Sequence, residues 1–327
     1  MDIIFVRTKL HALIVLNLIS KDLISKNFIF VKHHWKDVNE DSKKNDFFYS
    51  KIEGKAFYTT CLVEKNGLIR CSLQVYLLSI LAFISCGKFY LAAIRTYAIS
   101  IAAKLNPLLR IVTFDDGLDN IFRESDNPFF LKKALDDNSS FFRGFLNFLF
   151  PHGSASFLRK KTILHYTIFK NIGNIVPKEK LKYIKVNWES YLSNEDMLFL
   201  KGFVKSEVSI LIGTPFQEVE HSRLRDERKR NFIKNFQKEF LPEIDLIISH
   251  PRDSSNISHL KIAESFHGTA ESVIKFLQNQ SMVNKINILH FGTTSAPIIR
   301  TLSKVKIYDI YAGCYAIGDN QGLIENG

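Results

Sequence analysis

Cysteine is scarce and unpatterned in this 327-residue chain. Cys61, Cys71, Cys86 and Cys314 form no C-x-x-C pair and keep no zinc-type spacing to a histidine, which leaves them as reduced or buried thiols. Long apolar runs are missing as well. The longest, Leu77 to Cys86 (LLSILAFISC), has about half the length of a bilayer-spanning helix and is expected as a buried helix. No succession of basic, apolar and small residues opens the chain. It reads as a strand from Ile3-Ile4-Phe5-Val6, so a cytoplasmic protein is expected. Neither G-x-x-x-x-G-K-S/T nor G-x-G-x-x-G occurs, which sets aside P-loop enzymes and typical dinucleotide dehydrogenases.

Acidic residues are the minority charge: 33 Asp and Glu stand against 44 Lys and Arg, a formal net charge of +11. Such a balance favours an anionic partner, whether a nucleotide, a phosphorylated sugar or an acidic membrane surface. Nucleic acid is not expected as a partner, because the basic residues are scattered and no aromatic-plus-basic strand signature is present. The cluster at 223–230 (RLRDERKR) mixes both signs and suits a solvated helix face. With 46% hydrophobic and 24% charged residues the chain is that of a folded globular protein. Its length exceeds the usual reach of one core, so two domains are expected.

Up to about residue 115, short apolar runs alternate with helical stretches, the pattern of parallel strands joined by crossover helices. Ile3–Val6, Phe28–Val31, Phe89–Ala93 and Arg110–Phe114 are candidate strands; Leu10–Ser20, Gln74–Ser85 and Tyr97–Lys104 are candidate helices. Residues 118–170 show no clean period and are expected as an irregular excursion, followed by a connector over 171–205. From Val208 the alternation returns, with strands at Val208–Ile212, Asp245–Ser249, Ile286–Phe291 and Lys306–Tyr311 and helices at Arg223–Phe240, Gly268–Gln278 and Ala296–Leu302. The expected fold is α/β and GT-B-like: Rossmann-like domains over 1–170 and 206–327 facing a central cleft, with ligands at the carboxyl ends of the strands.

The richest polar clusters follow directly on apolar strands. Asp115-Asp116-Gly117, Gly213-Thr214-Pro215, His250-Pro251-Arg252 and Gly292-Thr293-Thr294-Ser295 all do so, and one edge of a parallel sheet would gather them. Adjacent carboxylates repel, so Asp115 or Asp116 can serve as a base near neutral pH; either can equally cap a following helix. Gly117 lets the backbone turn closely past a substrate. His250 can donate a proton to a departing phosphate on a turn stiffened by Pro251, and Arg252 can pair with the same phosphate. A His-Pro pair is also a common turn. Thr293, Thr294 and Ser295 open a predicted helix, where hydroxyls and free amides bind phosphate or simply cap the helix. The contiguous Asp-Asp-Gly differs from the D-x-D of metal-dependent sugar transferases, and a monophosphate leaving group fits it better.

In order along the chain, FDDG at 114–117 with Asn120-Ile121 behind it, HYTIFK at 165–170, ILIGTP at 210–215, SHPR at 249–252 and the hydroxyl-rich turn at 292–295 resemble the bacterial lipooligosaccharide sialyltransferases of glycosyltransferase family 52. The resemblance implies inverting, metal-independent transfer of sialic acid from CMP-sialic acid to a terminal galactose of lipooligosaccharide. The donor substrate is then the only nucleotide required, with no cofactor. It also implies that His250 acts as general acid or stabilises the departing phosphate. Glu271 would hold the ribose hydroxyls, and Thr293, with Thr294 and Ser295 beside it, would receive the phosphate, near Gly213, Thr214, Pro251 and Arg252.

Phe216 stands where the family's lipooligosaccharide enzyme carries an Asp after its Gly-Ser-Pro. The base is therefore expected at Asp116 or Asp115, with Glu218 second. The resemblance further implies a homodimer, with 118–170 as a candidate contact, and the net charge suits a peripheral contact with the inner leaflet. Transfer of another sugar such as glucose, or an inactive homologue, are the competing readings.

Overall fold

The structure, a computed structural model, describes residues 1–34, 47–63, 67–92, 97–115, 148–150, 154–169, 174, 176–188, 191–213, 244–248, 269–290 and 303–309. The chain divides into two compact units, Met1–Val186 and Asn187–Gly327.

The first unit is built on seven strands: β1 (Asp2–Val6), β2 (Phe28–His34), β3 (Tyr58–Val63), β4 (Phe89–Leu91), β5 (Ile111–Phe114), β6 (Thr162–Thr167) and β7 (Leu181–Tyr183). They are all parallel, in the order β3-β2-β1-β4-β5-β6-β7. The central strands are buried along their length, as a parallel sheet covered on both faces requires, which is why they read as unbroken apolar runs. Helix α1 (Lys9–Ser20) starts where Thr8 accepts a hydrogen bond from the His11 amide, an ordinary N-cap. Helices α2 (Leu68–Ile84), α3 (Tyr97–Leu105) and α4 (Ser154–Lys161) follow.

Crossovers running leftward from β1 and rightward from β3, β4 and β5 must place their helices on opposite faces if all are right-handed. Accordingly α2, α3 and α4 pack side by side in one layer. The strand order reverses between β1 and β4, the position at which open α/β sheets admit ligands.

Several expectations are corrected here. The second part of the 118–170 excursion is regular: α4 leads into β6, which lies between β5 and β7 and is buried over His165–Thr167. Alternation was hidden because His165, Tyr166 and Thr167 are polar residues in buried positions. Strand β3 was missed because it is a half-exposed edge strand with two threonines. The stretch 171–205 is not a single connector. Its β7 pairs with β6 in the first sheet, whereas Leu192 and Leu200 belong to the second core. Helix α2 contains the run expected to be buried, yet Leu77, Leu81, Phe83 and Ile84 are exposed.

The second unit holds β8 (Glu207–Ile212), β9 (Leu246–Ile248), β10 (Lys285–His290) and β11 (Val305–Asp309), parallel in the order β11-β10-β8-β9. Helix α5 (Asn194–Lys201) opens on a capping box in which Ser193 and Asp196 satisfy each other's amides, and α6 (Ala270–Gln278) opens on Thr269. Leu200, Val208, Ile210, Val273, Leu277, Ile286 and Ile288 form its core. The helices expected at 223–240 and 296–302 lie outside the described residues.

Candidate active site

Two of the sequence motifs meet at the carboxyl end of the first sheet. Register pairs Thr113 with His165 and Phe114 with Tyr166 across β5 and β6, so the FDDG and HYTIFK segments leave neighbouring strands at one level. Asp115 and His165 are both completely buried. The His165 ring bridges the two strands, with Nδ1 2.8 Å from Thr113 Oγ1 and Nε2 2.9 Å from Asp115 Oδ1. The Ile168 amide donates to Asp115 Oδ2 at 2.6 Å.

Asn174 adds a donor, its Nδ2 lying 3.4 Å from Asp115 Oδ1 and 3.2 Å from His165 Nε2, while its Oδ1 accepts from the Val176 amide at 3.0 Å. With Asp115 ionised, Nε2–H donates to the carboxylate and Nδ1 accepts from the Thr113 hydroxyl; every group is then satisfied. Burying a carboxylate is tolerable only with such a set of donors. The arrangement fixes Asp115 at the end of β5.

More polar groups line the same edge. His33 and His34 end β2 and are buried, as is His11 in the first turn of α1. His11 accepts from the Arg7 amide and lies edge-on to Phe114, its ring centroid 5.9 Å away. The Tyr49 hydroxyl donates to the Arg7 carbonyl at 3.1 Å, and the Lys32 ammonium lies 5.6 Å from the Tyr49 ring centroid. Such a concentration of imidazoles at the carboxyl ends of an otherwise apolar sheet marks that edge as the one facing ligands. Sequence reasoning passed over His11, His33, His34 and Asn174. The sudden polar ending of the apolar run in FIFVKHH was the available signal.

In the second unit the expected clusters follow strands that end at one level: Ile212 is in register with His290 on one side and with Ile248 on the other. The Gly213 amide still donates to the Ile248 carbonyl at 2.8 Å. Glu271 sits in the first turn of α6, beside Ser272, whose amide donates to the cap Thr269, and it is buried. A carboxylate there is favoured by the positive end of the helix and can also accept from ligand hydroxyls. Asp116, Thr214, Glu218, His250, Pro251, Arg252, Thr293, Thr294 and Ser295 lie outside the described residues.

Solved structures share this architecture. A UDP-GlcNAc 2-epimerase from Neisseria meningitidis, bound to UDP-GlcNAc, superposes with a TM-score of 0.52 at 13% identity, covering 97% of this chain and 86% of that one. The epimerase of Methanocaldococcus jannaschii, in complex with UDP-GlcNAc and UDP, gives 0.50 at 11% identity, covering 100% and 95%. The class is thus GT-B-like α/β. Among curated proteins, an N-acetyllactosaminide alpha-2,3-sialyltransferase of Neisseria meningitidis is 22% identical over 274 residues, 82% of this chain and 68% of the relative. One from Haemophilus influenzae is 26% identical over 173 residues, 53% of this chain and about half (49%) of the relative. The profile of glycosyltransferase family 52 matches residues 25–312. The chain belongs to that family and is a glycosyltransferase.

Proposed function

We propose that the protein transfers sialic acid from CMP-sialic acid to a terminal galactose of lipooligosaccharide, with inversion and without a metal. The observation that carries this reading is the family match across residues 25–312, supported by two relatives named as sialyltransferases. A carboxylate takes the proton of the galactose hydroxyl as that oxygen attacks the anomeric carbon from the face opposite CMP. The bond from that carbon to the phosphate oxygen breaks through an oxocarbenium-like state. His250 protonates or hydrogen-bonds the departing phosphate, with Arg252 and the Thr293-Thr294-Ser295 turn taking up its charge, and Glu271 accepts from the ribose hydroxyls.

The geometry around Asp115 favours dividing the adjacent carboxylates by role. Both Asp115 oxygens accept hydrogen bonds from protein donors and the side chain is sealed from solvent. We assign it to positioning and its neighbour Asp116 to proton abstraction, with Glu218 as the second choice.

The test is transfer to lactose from CMP-sialic acid, joined to thermal-shift titrations with CMP, UDP and CMP-sialic acid. Expected are stabilisation by CMP but not UDP, loss of transfer in His250→Ala, and a roughly 10²–10⁴-fold slower Asp116→Asn. Stabilisation by UDP alone would redirect the reading to another sugar. No CMP release with donor and lactose present would make the chain an inactive homologue.

A further inference from the structure

The strand order of the first sheet reverses between β1 and β4, and the residue that leaves β1 at that point is Arg7. Register pairs Val6 with Lys32, so Arg7 follows at the level of His33 on β2. Side chains from outside the strand hold both of its backbone groups. The Arg7 amide donates to His11 Nδ1 at 3.4 Å, and its carbonyl accepts from the Tyr49 hydroxyl at 3.1 Å. The peptide is thereby fixed where open α/β sheets admit ligands, while the residue as a whole is only half-buried.

Lys9 follows directly after the cap Thr8, and the first turn of α1 contains no acid. Cations at that end oppose the helix dipole, the reverse of the usual preference. On β2, alternation puts His33 on the face of Ile29 and Val31, which belong to the buried core beneath it, and His33 is itself buried at the strand end. Among the described residues, the acids at this edge are engaged elsewhere: Asp115 with His165, the Ile168 amide and Asn174, and Glu53 with Lys32 at 2.5 Å. A guanidinium, an ammonium and an imidazole gathered at the edge that admits ligands suit an oxyanion, to which arginine's planar fork presents two parallel donors.

We propose that Arg7 binds a substrate oxyanion, a carboxylate or a phosphate, with Lys9 adding charge and the His33 ring a further donor, so that the first unit selects an anionic substrate. The site is argued from the first unit alone. It rests on the sialyltransferase reading only for what carries the oxyanion: the moved sugar supplies a carboxylate, CMP a phosphate, and a phosphorylated acceptor another phosphate. Arg7 determines specificity and takes no proton in the transfer. Its contact is made with the bound substrate and the transition state alike, so it lowers KM and leaves kcat as it is.

Steady-state transfer by the full chain, from CMP-sialic acid to lactose and to lactose phosphate, tests it. Arg7→Gln should raise one KM by about 10- to 100-fold, the worth of a hydrogen-bonded charge, with kcat and the melting temperature unchanged. Arg7→Lys should recover part of that loss, since it keeps the charge without the fork, and His33→Gln should cost about two- to tenfold in the same KM. A raised KM for CMP-sialic acid with unchanged inhibition by CMP assigns the oxyanion to the sugar carboxylate; weakened inhibition as well assigns it to the donor phosphate. A raised KM for lactose phosphate alone assigns it to the acceptor. A folded Arg7→Gln with every KM at the wild-type value, or with a loss in kcat alone, would overturn the proposal. Should Arg7→Gln not fold, Arg7→Lys and His33→Gln decide by the same constants, and wild-type KM values in both overturn it. A wild type that transfers no sialic acid sinks the sugar assignment but not this site. Thermal-shift titration with inorganic phosphate then reads it, and equal shifts for wild type and Arg7→Gln overturn it.

Discussion

Replacing His165 by leucine removes both hydrogen bonds of its ring, at 2.8 and 2.9 Å, and leaves the Asp115 carboxylate in a site with no access to water. Breaking a buried pair from one side costs about 3–5 kcal/mol. For a unit of this size such a cost lowers Tm by roughly 6–20 °C. Asp115→Leu should be comparably severe, because it strands the His165 ring and the Ile168 amide. Asp115→Asn should be milder, about 1–2 kcal/mol. Its amide oxygen can still accept from Ile168, and its amide nitrogen can donate to His165 Nε2 once the ring moves its own proton to Nδ1, facing Thr113.

Denaturant unfolding of the three variants and of the Asp115→Leu/His165→Leu double variant measures this. The double variant should cost less than the sum of the singles by about 0.5–3 kcal/mol, since each single already breaks the same pair. Turnover gives the second readout: a positioning role allows Asp115→Asn a small loss, while Asp116→Asn falls by about 10²–10⁴. Additive single effects, or an Asp115→Asn as destabilised as Asp115→Leu, would refute the coupling. A larger kinetic loss at Asp115 than at Asp116 would return the base to Asp115.

Two further outcomes follow from the first unit. Burial, reinforced by the negative charge of Asp2, holds the Tyr90 hydroxyl protonated far above the usual tyrosine range while it donates to the Leu23 carbonyl at 3.0 Å. A raised folded-state pKa gives stability that is complete below the unfolded value of about 10 and is lost as pH rises beyond it. Unfolding midpoints should therefore fall above about pH 10, and Tyr90→Phe, about 1 kcal/mol less stable at neutral pH, should flatten that fall; an unchanged alkaline decline would assign it to other groups. At Gly87, an added Cβ would lie 1.9 Å from the Met1 carbonyl oxygen, so Gly87→Ala should cost about 1–3 kcal/mol in a melting experiment. No loss would mean that the start of β1 shifts freely.

Most of the strand and helix order was legible because the chemistry of a two-sided parallel sheet leaves a direct trace. Ile3–Val6, Phe89–Leu91 and Ile111–Phe114 are apolar at every or nearly every position, since both faces are covered. The ends of these strands were legible for the same reason: where the apolar run stops, the sheet stops. Strand β6 was illegible because its buried His165 is satisfied by partners distant in sequence, Thr113 and Asp115, 52 and 50 residues away.

By itself the sequence determined the α/β class, the parallel strands and the order of the motifs, because these follow from local periodicity. Only the tertiary structure could show that Asp115, one of a written pair of carboxylates, is buried and held by protein donors. The partners Asp115 finds, His165, Ile168 and Asn174, come from another strand and the loop beyond it. The exposed side of α2 likewise required the fold. A helix apolar on nearly every face carries no periodic signal of which side is covered, and the sheet beneath it supplies only one wall.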